Sequence, residues 1–201
     1  MPDDNSTLHQ LIQRARVLGL NNNPDLPASI RQIIETVDNQ KRLMSSEEAL
    51  ALCDWSGIQP GCIHVLQTEI ERLVQQARVT LLERDPTLVE PGGALHPAQR
   101  AEACWNDCWQ FMRVITIAVA IDHPQFTDRE GMQSMRSLYA LLGVPTEGLK
   151  IALTELKRLS IQAIDQPRWT REGHALTQAF DHLAAELNKS AVKSCKANAK
   201  N

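Results

Sequence analysis

Apolar residues recur every three or four positions along almost the whole of this 201-residue chain, and no stretch shows the strict alternation of a half-buried strand. That period places them on one face of a helix, so the chain is restricted to an all-α fold. Punctuation divides the pattern. Residues 1–26 are polar and end in NNNPDLP, which reads as an N-terminal extension with room for a short helix. A helix is expected from Ile30 to Gln40, and SSEE at 45–48 has the serine-to-glutamate spacing that opens another. GIQPGC at 57–62 breaks that helix, and a long amphipathic one follows from Ile63 to Glu83. EPGG at 90–93 is a strong stop. Pro97 then stands near the first turn of the most apolar helix, which runs to about Ile121. Three more are expected at Arg129–Leu142, Thr146–Ile164 and Thr170–Leu187. The result is one domain over 27–188, of seven or eight helices counted with the extension, ahead of a lysine-rich tail at 189–201.

Length and charge exclude several classes of function. A chain of 201 residues buries a core without help from disulfides or a structural metal. Its 21 basic and 24 acidic residues give no concentrated positive face for nucleic acid. No apolar run has the length of a membrane span, and MPDDNSTLHQ is unlike a secretory signal. Cysteines 53, 62, 104, 108 and 195 form no regular framework, which points to free thiols in a reducing cytoplasm. No nucleophile–base pair or phosphate loop argues for an enzyme.

The stretch EACWNDCWQFMR, Glu102 to Arg113, concentrates the unusual chemistry. Residues three and four apart share a helix face, so Cys104, Asp107 and Cys108 point together, with Trp105 and Trp109 beside them. No further ligands complete a zinc set, so no metal is expected. A disulfide within one helical turn is geometrically poor. Burial in a core suits the thiols and the indoles. It does not suit Asp107, whose carboxylate needs a donor once buried.

Together these residues resemble the phycobiliprotein family, the bilin-carrying subunits of the phycobilisome. Pro91-Gly92-Gly93, Arg100, Cys104, Asp107 and Arg113 stand in the family's register, as do Arg136, Tyr139, Leu142, Gly143 and Pro145 in REGMQSMRSLYALLGVP. IETVDNQKRLMSS at 34–46 is similar to the family's N-terminal hairpin, and the likeness covers about residues 30–188. It implies a globin-like bundle with an added N-terminal helical hairpin. It further implies a light-harvesting subunit with a linear tetrapyrrole, of phycocyanobilin type, joined by a thioether to Cys104. Asp107 would accept hydrogen bonds from the central pyrroles, with Arg100, Asn106 and Tyr139 around the chromophore. Asp38 and Arg113 would form an ion pair between two subunits. Implied partners are another phycobiliprotein-like chain, in a hetero- or homodimer, and phycobilisome linker or core proteins at the cytoplasmic face of the thylakoid.

The sequence also departs from that pattern. Asn106 stands where an arginine often meets a propionate, Gln99 replaces one of two adjacent arginines, and Ala94 replaces an asparagine. No cysteine lies at 165–175, so at most one bilin is expected. The alternative reading is a bilin-free relative acting as a scaffold, assembly or regulatory module. A haem-binding globin-like sensor is disfavoured, because the helix from Cys104 to Val119 holds no histidine.

Overall fold

A computed structural model describes residues 4–189 as eight α-helices, with no named strand among them. They are α1 (Asp4–Arg14), α2 (Ala28–Asn39), α3 (Ser46–Ser56), α4 (Pro60–Arg84), α5 (Ala98–Ala120), α6 (Arg129–Leu142), α7 (Thr146–Ala163) and α8 (Thr170–Asn188). The globin-like all-α architecture expected from periodicity and resemblance is the one observed. Most of the lysine-rich tail, residues 190–201, lies outside the described residues, Cys195 with it.

Local chemistry sets the boundaries. Ser45 accepts from the Glu48 amide at 3.2 Å and Glu48 accepts from the Ser45 amide at 2.8 Å, a complete capping box at the start of α3. Pro60 begins α4, where a missing N–H costs nothing. Between α4 and α5 the chain turns at Gly92, whose φ of 91° is left-handed. Next to it Gly93 lies so close to the Thr87 carbonyl that a Cβ would sit 2.1 Å from the oxygen. A side chain at Gly92 would be strained by that φ, and one at Gly93 would clash with the backbone of Thr87 and Leu88.

The core is built around α5. Every residue from Phe111 to Ile121 is buried, because α4, α8 and α3 all pack on this helix. Helix α7 packs on α4 and α8 and closes the far side. Arg113 and Thr116 are the polar residues of that run, and each has a partner. Thr116 donates to the Met112 carbonyl at 2.8 Å. Arg113 donates to Asp38 at 2.6 Å and to Gln110 at 2.7 Å.

Residues 15–26 differ from the polar extension read in the sequence. Leu18, Leu20 and Leu26 are core residues, and Leu18 forms an isolated antiparallel bridge with Thr127. Three leucines among asparagines and prolines carry no period, so their burial could not be read from spacing. The strap is held at the head of α6. The Asp128 amide donates to the Val17 carbonyl at 2.7 Å, and Arg16 donates to the Asp128 carboxylate at 3.1 Å. Gly131 permits the approach, since a Cβ there would lie 2.3 Å from the Arg16 carbonyl oxygen. Ahead of the strap, α1 lies along α6 with no buried residue among those described.

Candidate functional site

The amphipathic register of α5 decides what each of its first turns faces. Cys104 is half-buried and Cys108, one turn on, is fully buried. Asp107 lies between their turns, and Tyr139 of α6 donates its hydroxyl to the Asp107 carboxylate at 2.7 Å. This supplies the donor that a buried acid requires. Burial raises the Asp107 pKa and the tyrosine bond pulls it back. Tyr139 itself is pushed well above the usual phenol range, by burial first and then by the neighbouring carboxylate.

The thiol environment is electrostatically unfavourable to thiolate. Burial raises the Cys104 pKa, Asp107 raises it further, and only Arg100 opposes them. Cys108 is driven to about 12 by burial, with Asp107 and Cys104 adding to it. Thiolate is the nucleophile, so Cys104 is held in its less reactive form while remaining the more accessible of the two.

Cys104 opens on an apolar slit of about 20 Å³, walled by Trp105, Asp107 and Tyr139 and by Leu81, Leu95, Val144 and Leu149. Beyond Tyr139, Val144 and Leu149, which belong to both walls, a cleft of about 400 Å³ lies between the ends of α6 and α8 and the start of α7. Two buried donors along this path have no acceptor: the indole N–H of Trp105 at the slit and Nε of Arg136 at the cleft. Buried donors are rarely left unpaired, so each is an opening for a ligand oxygen. A tetrapyrrole needs several hundred cubic ångströms, within the usual range of about 300–1,000 Å³ for organic ligands. The slit as folded is too small for the whole of it, and the cleft lies on the far side of Tyr139, Val144 and Leu149. The half-buried thiol and the tyrosine-bonded acid fit the attachment end of a linear tetrapyrrole at Cys104.

The other expected residues are distributed differently. Arg100 donates from one nitrogen to the carbonyls of Leu142 and Gly143, each at 2.6 Å, and so ties α5 to the C-terminal end of α6. Asn106 is exposed and lines a separate groove of about 280 Å³ with Arg16, Lys41 and Gln110. Asp107 borders both this groove and the slit. The Asp38–Arg113 pair closes within a single chain, with the Arg113 side chain 2% exposed. Arg113 presents no free surface to a second subunit.

Sequence reasoning missed Arg136 as a site residue and took Trp105 for packing. Arg136 was visible only as part of a pattern, since its place in the cleft depends on where α8 ends. Leu81, Leu95 and Leu149 carry only helical periodicity in the sequence, with nothing that marks them as lining the slit. Among the described residues no cluster of His, Cys, Asp or Glu could hold a metal, and no helix is long and apolar enough to cross a membrane.

The phycobilisome protein family model matches residues 32–187. The chain belongs to the phycobilisome protein family. Three similar members of the family are distant from it. Allophycocyanin subunit alpha-B of Nostoc sp. is 27% identical over 162 residues, 79% of this chain and 98% of the relative. The C-phycocyanin beta subunit of Mastigocladus laminosus is 22% identical over 167 residues, covering 78% and 95%. The allophycocyanin alpha-B chain of Synechococcus sp. is 29% identical over 135 residues, covering 66% and 83%. At such identities the family's fold carries over.

Proposed function

We propose that this chain is a light-harvesting subunit of the phycobilisome carrying one linear tetrapyrrole of phycocyanobilin type, joined covalently at Cys104. The observation that carries the reading is the half-buried Cys104 beside a tyrosine-bonded Asp107, both on an apolar slit. When bound, the pigment would supply visible absorption and a route for excitation transfer. The protein's part is positional. Cys104 offers the sulfur for the thioether, and its burial and the nearby Asp107 disfavour the thiolate form. Asp107, held by Tyr139, offers an ionised acceptor to ring N–H groups, and charge-assisted bonds of that kind are the stronger class. Leu81, Leu95, Val144 and Leu149 would exclude water from the attachment end of the pigment.

The setting proposed is the cytoplasmic face of the thylakoid, in association with a phycobiliprotein-like partner and phycobilisome linker or core proteins. Leu50 and Trp55 on α3 remain 48% and 40% exposed, apolar surface that a second chain would cover. The role is not catalytic.

The test is colour. Co-expression with a bilin-producing pathway and an attaching lyase is expected to give a pigmented band on a denaturing gel, lost in Cys104→Ala. A second reading, a bilin-free scaffold or assembly subunit, is favoured by one feature: the slit at Cys104 is narrow as folded and Arg100 is already engaged. A colourless product under conditions that pigment a control subunit would select it.

A further inference from the structure

The cleft between the ends of α6 and α8 and the start of α7 is a separate cavity from the slit at Cys104, and its lining has its own chemistry. Leu149, Leu153 and Leu187 give it an apolar wall, and Arg136, Lys150 and Lys189 bring cations to it. Lys150 is occupied by Glu147 at 2.6 Å. Glu186 has two cations to serve, since it pairs with Lys189 and lies 3.7 Å from Arg136. One carboxylate between two cations leaves positive charge at Arg136, whose side chain is 10% exposed. That guanidinium is only partly engaged. Nη1 donates to the Glu186 carbonyl at 2.9 Å and so ties α6 to the last turn of α8. Nε is buried and has no acceptor among the described residues. Its N–H lies on the edge of the planar fork away from Nη1, the edge that takes a carboxylate side-on. The start of α7 borders the same cleft at Thr146 without a side-chain cap, and its helix dipole favours an anion there. An orphaned buried donor with excess positive charge beside a leucine wall fits an oxyanion on an apolar body.

We propose that this cleft binds a small amphipathic monocarboxylate, with its head side-on to Arg136 and its chain against Leu149, Leu153 and Leu187. The cleft's volume of about 400 Å³ stands at the low end of the roughly 300–1,000 Å³ of organic-ligand pockets, which suits a short acyl chain. Cys104 is absent from the lining, and Tyr139, Val144 and Leu149 stand between the cleft and the slit. The ligand is therefore a second, non-covalent occupant distinct from anything joined to Cys104. Neither the site nor its test depends on the antenna reading, so the two can fail separately.

Octanoate and its neutral analogue octanamide serve as probes, titrated into the full chain by calorimetry. Octanoate is expected to bind at a single site, at least about tenfold more tightly than octanamide, the scale of one charge-assisted hydrogen bond. Arg136→Gln is expected to abolish the preference by weakening octanoate alone. Two further variants keep the proposal testable if that one loses its helical signal. Glu186→Gln removes the competing carboxylate and is expected to tighten octanoate by a few-fold while leaving octanamide unchanged, a gain that damaged folding does not produce. Ala184→Leu fills the cleft from a half-buried position on α8 and is expected to weaken both probes. Equal binding of acid and amide, binding of neither, many weak equivalent sites, or an acid preference untouched by all three substitutions overturns the inference.

Discussion

The acid between the two thiol turns illustrates how much one hydroxyl can decide. Tyr139→Phe removes the Asp107 donor and leaves a carboxylate in an apolar slit, so the fold is expected to lose about 1–3 kcal/mol in urea unfolding. Asp107 also gives a pH signature. Its folded pKa lies above the ordinary 3.8, so the folded state holds the proton more firmly than the unfolded one. Stability from this group is present below 3.8 and declines as pH rises through the folded value. Wild type should therefore lose ground to Asp107→Asn as pH rises from 4 to neutrality, measured by denaturant midpoints. Cys104 reports the same field kinetically. Alkylation at Cys104, followed by peptide mass, should speed up with pH, be faster in Asp107→Asn and be slower in Arg100→Gln. These signs follow because the carboxylate raises and the guanidinium lowers its pKa. Cys108 and Cys53, buried and pushed to about 12, should stay unmodified in the folded protein.

Helices show where local sequence rules suffice and where they stop. At α3 the serine and glutamate of SSEE make the reciprocal cap that their spacing implies, and Ser45→Ala is expected to cost about 1 kcal/mol. Glu48 is held near 2 chiefly by its bond from Arg42. Its contribution is present above 4.5 and is lost as pH falls from 4.5 to about 2, which an acid titration of Glu48→Gln against wild type would reveal. Helix α6 was readable to the residue, because Asp128 caps one end and Gly143, in a left-handed turn, closes the other. The strap before α2 was not, because its leucines follow tertiary geometry with no period of their own. Likewise the thiol and acid of the site were legible from one turn of α5, while the cleft, assembled from α6, α7 and α8, was not.

For the molecule as a whole the Asp38–Arg113 bond separates folding from assembly. Within one chain, Asp38→Ala strands a buried guanidinium and is expected to cost about 3 kcal/mol, the low end for a broken buried pair because Gln110 still accepts from it. That loss should be independent of protein concentration. A change confined to association, seen only on dilution, would place the bond between subunits instead. The attachments of α6 have a broader consequence. Its head is fastened by Arg16 and Val17 and its foot by Arg100, with Tyr139 on the span between them. The beginning of the polypeptide is thus mechanically geared to the acid that would tune a pigment. Trimming or tagging the first seventeen residues should shift the colour of the loaded protein before it measurably loosens the bundle.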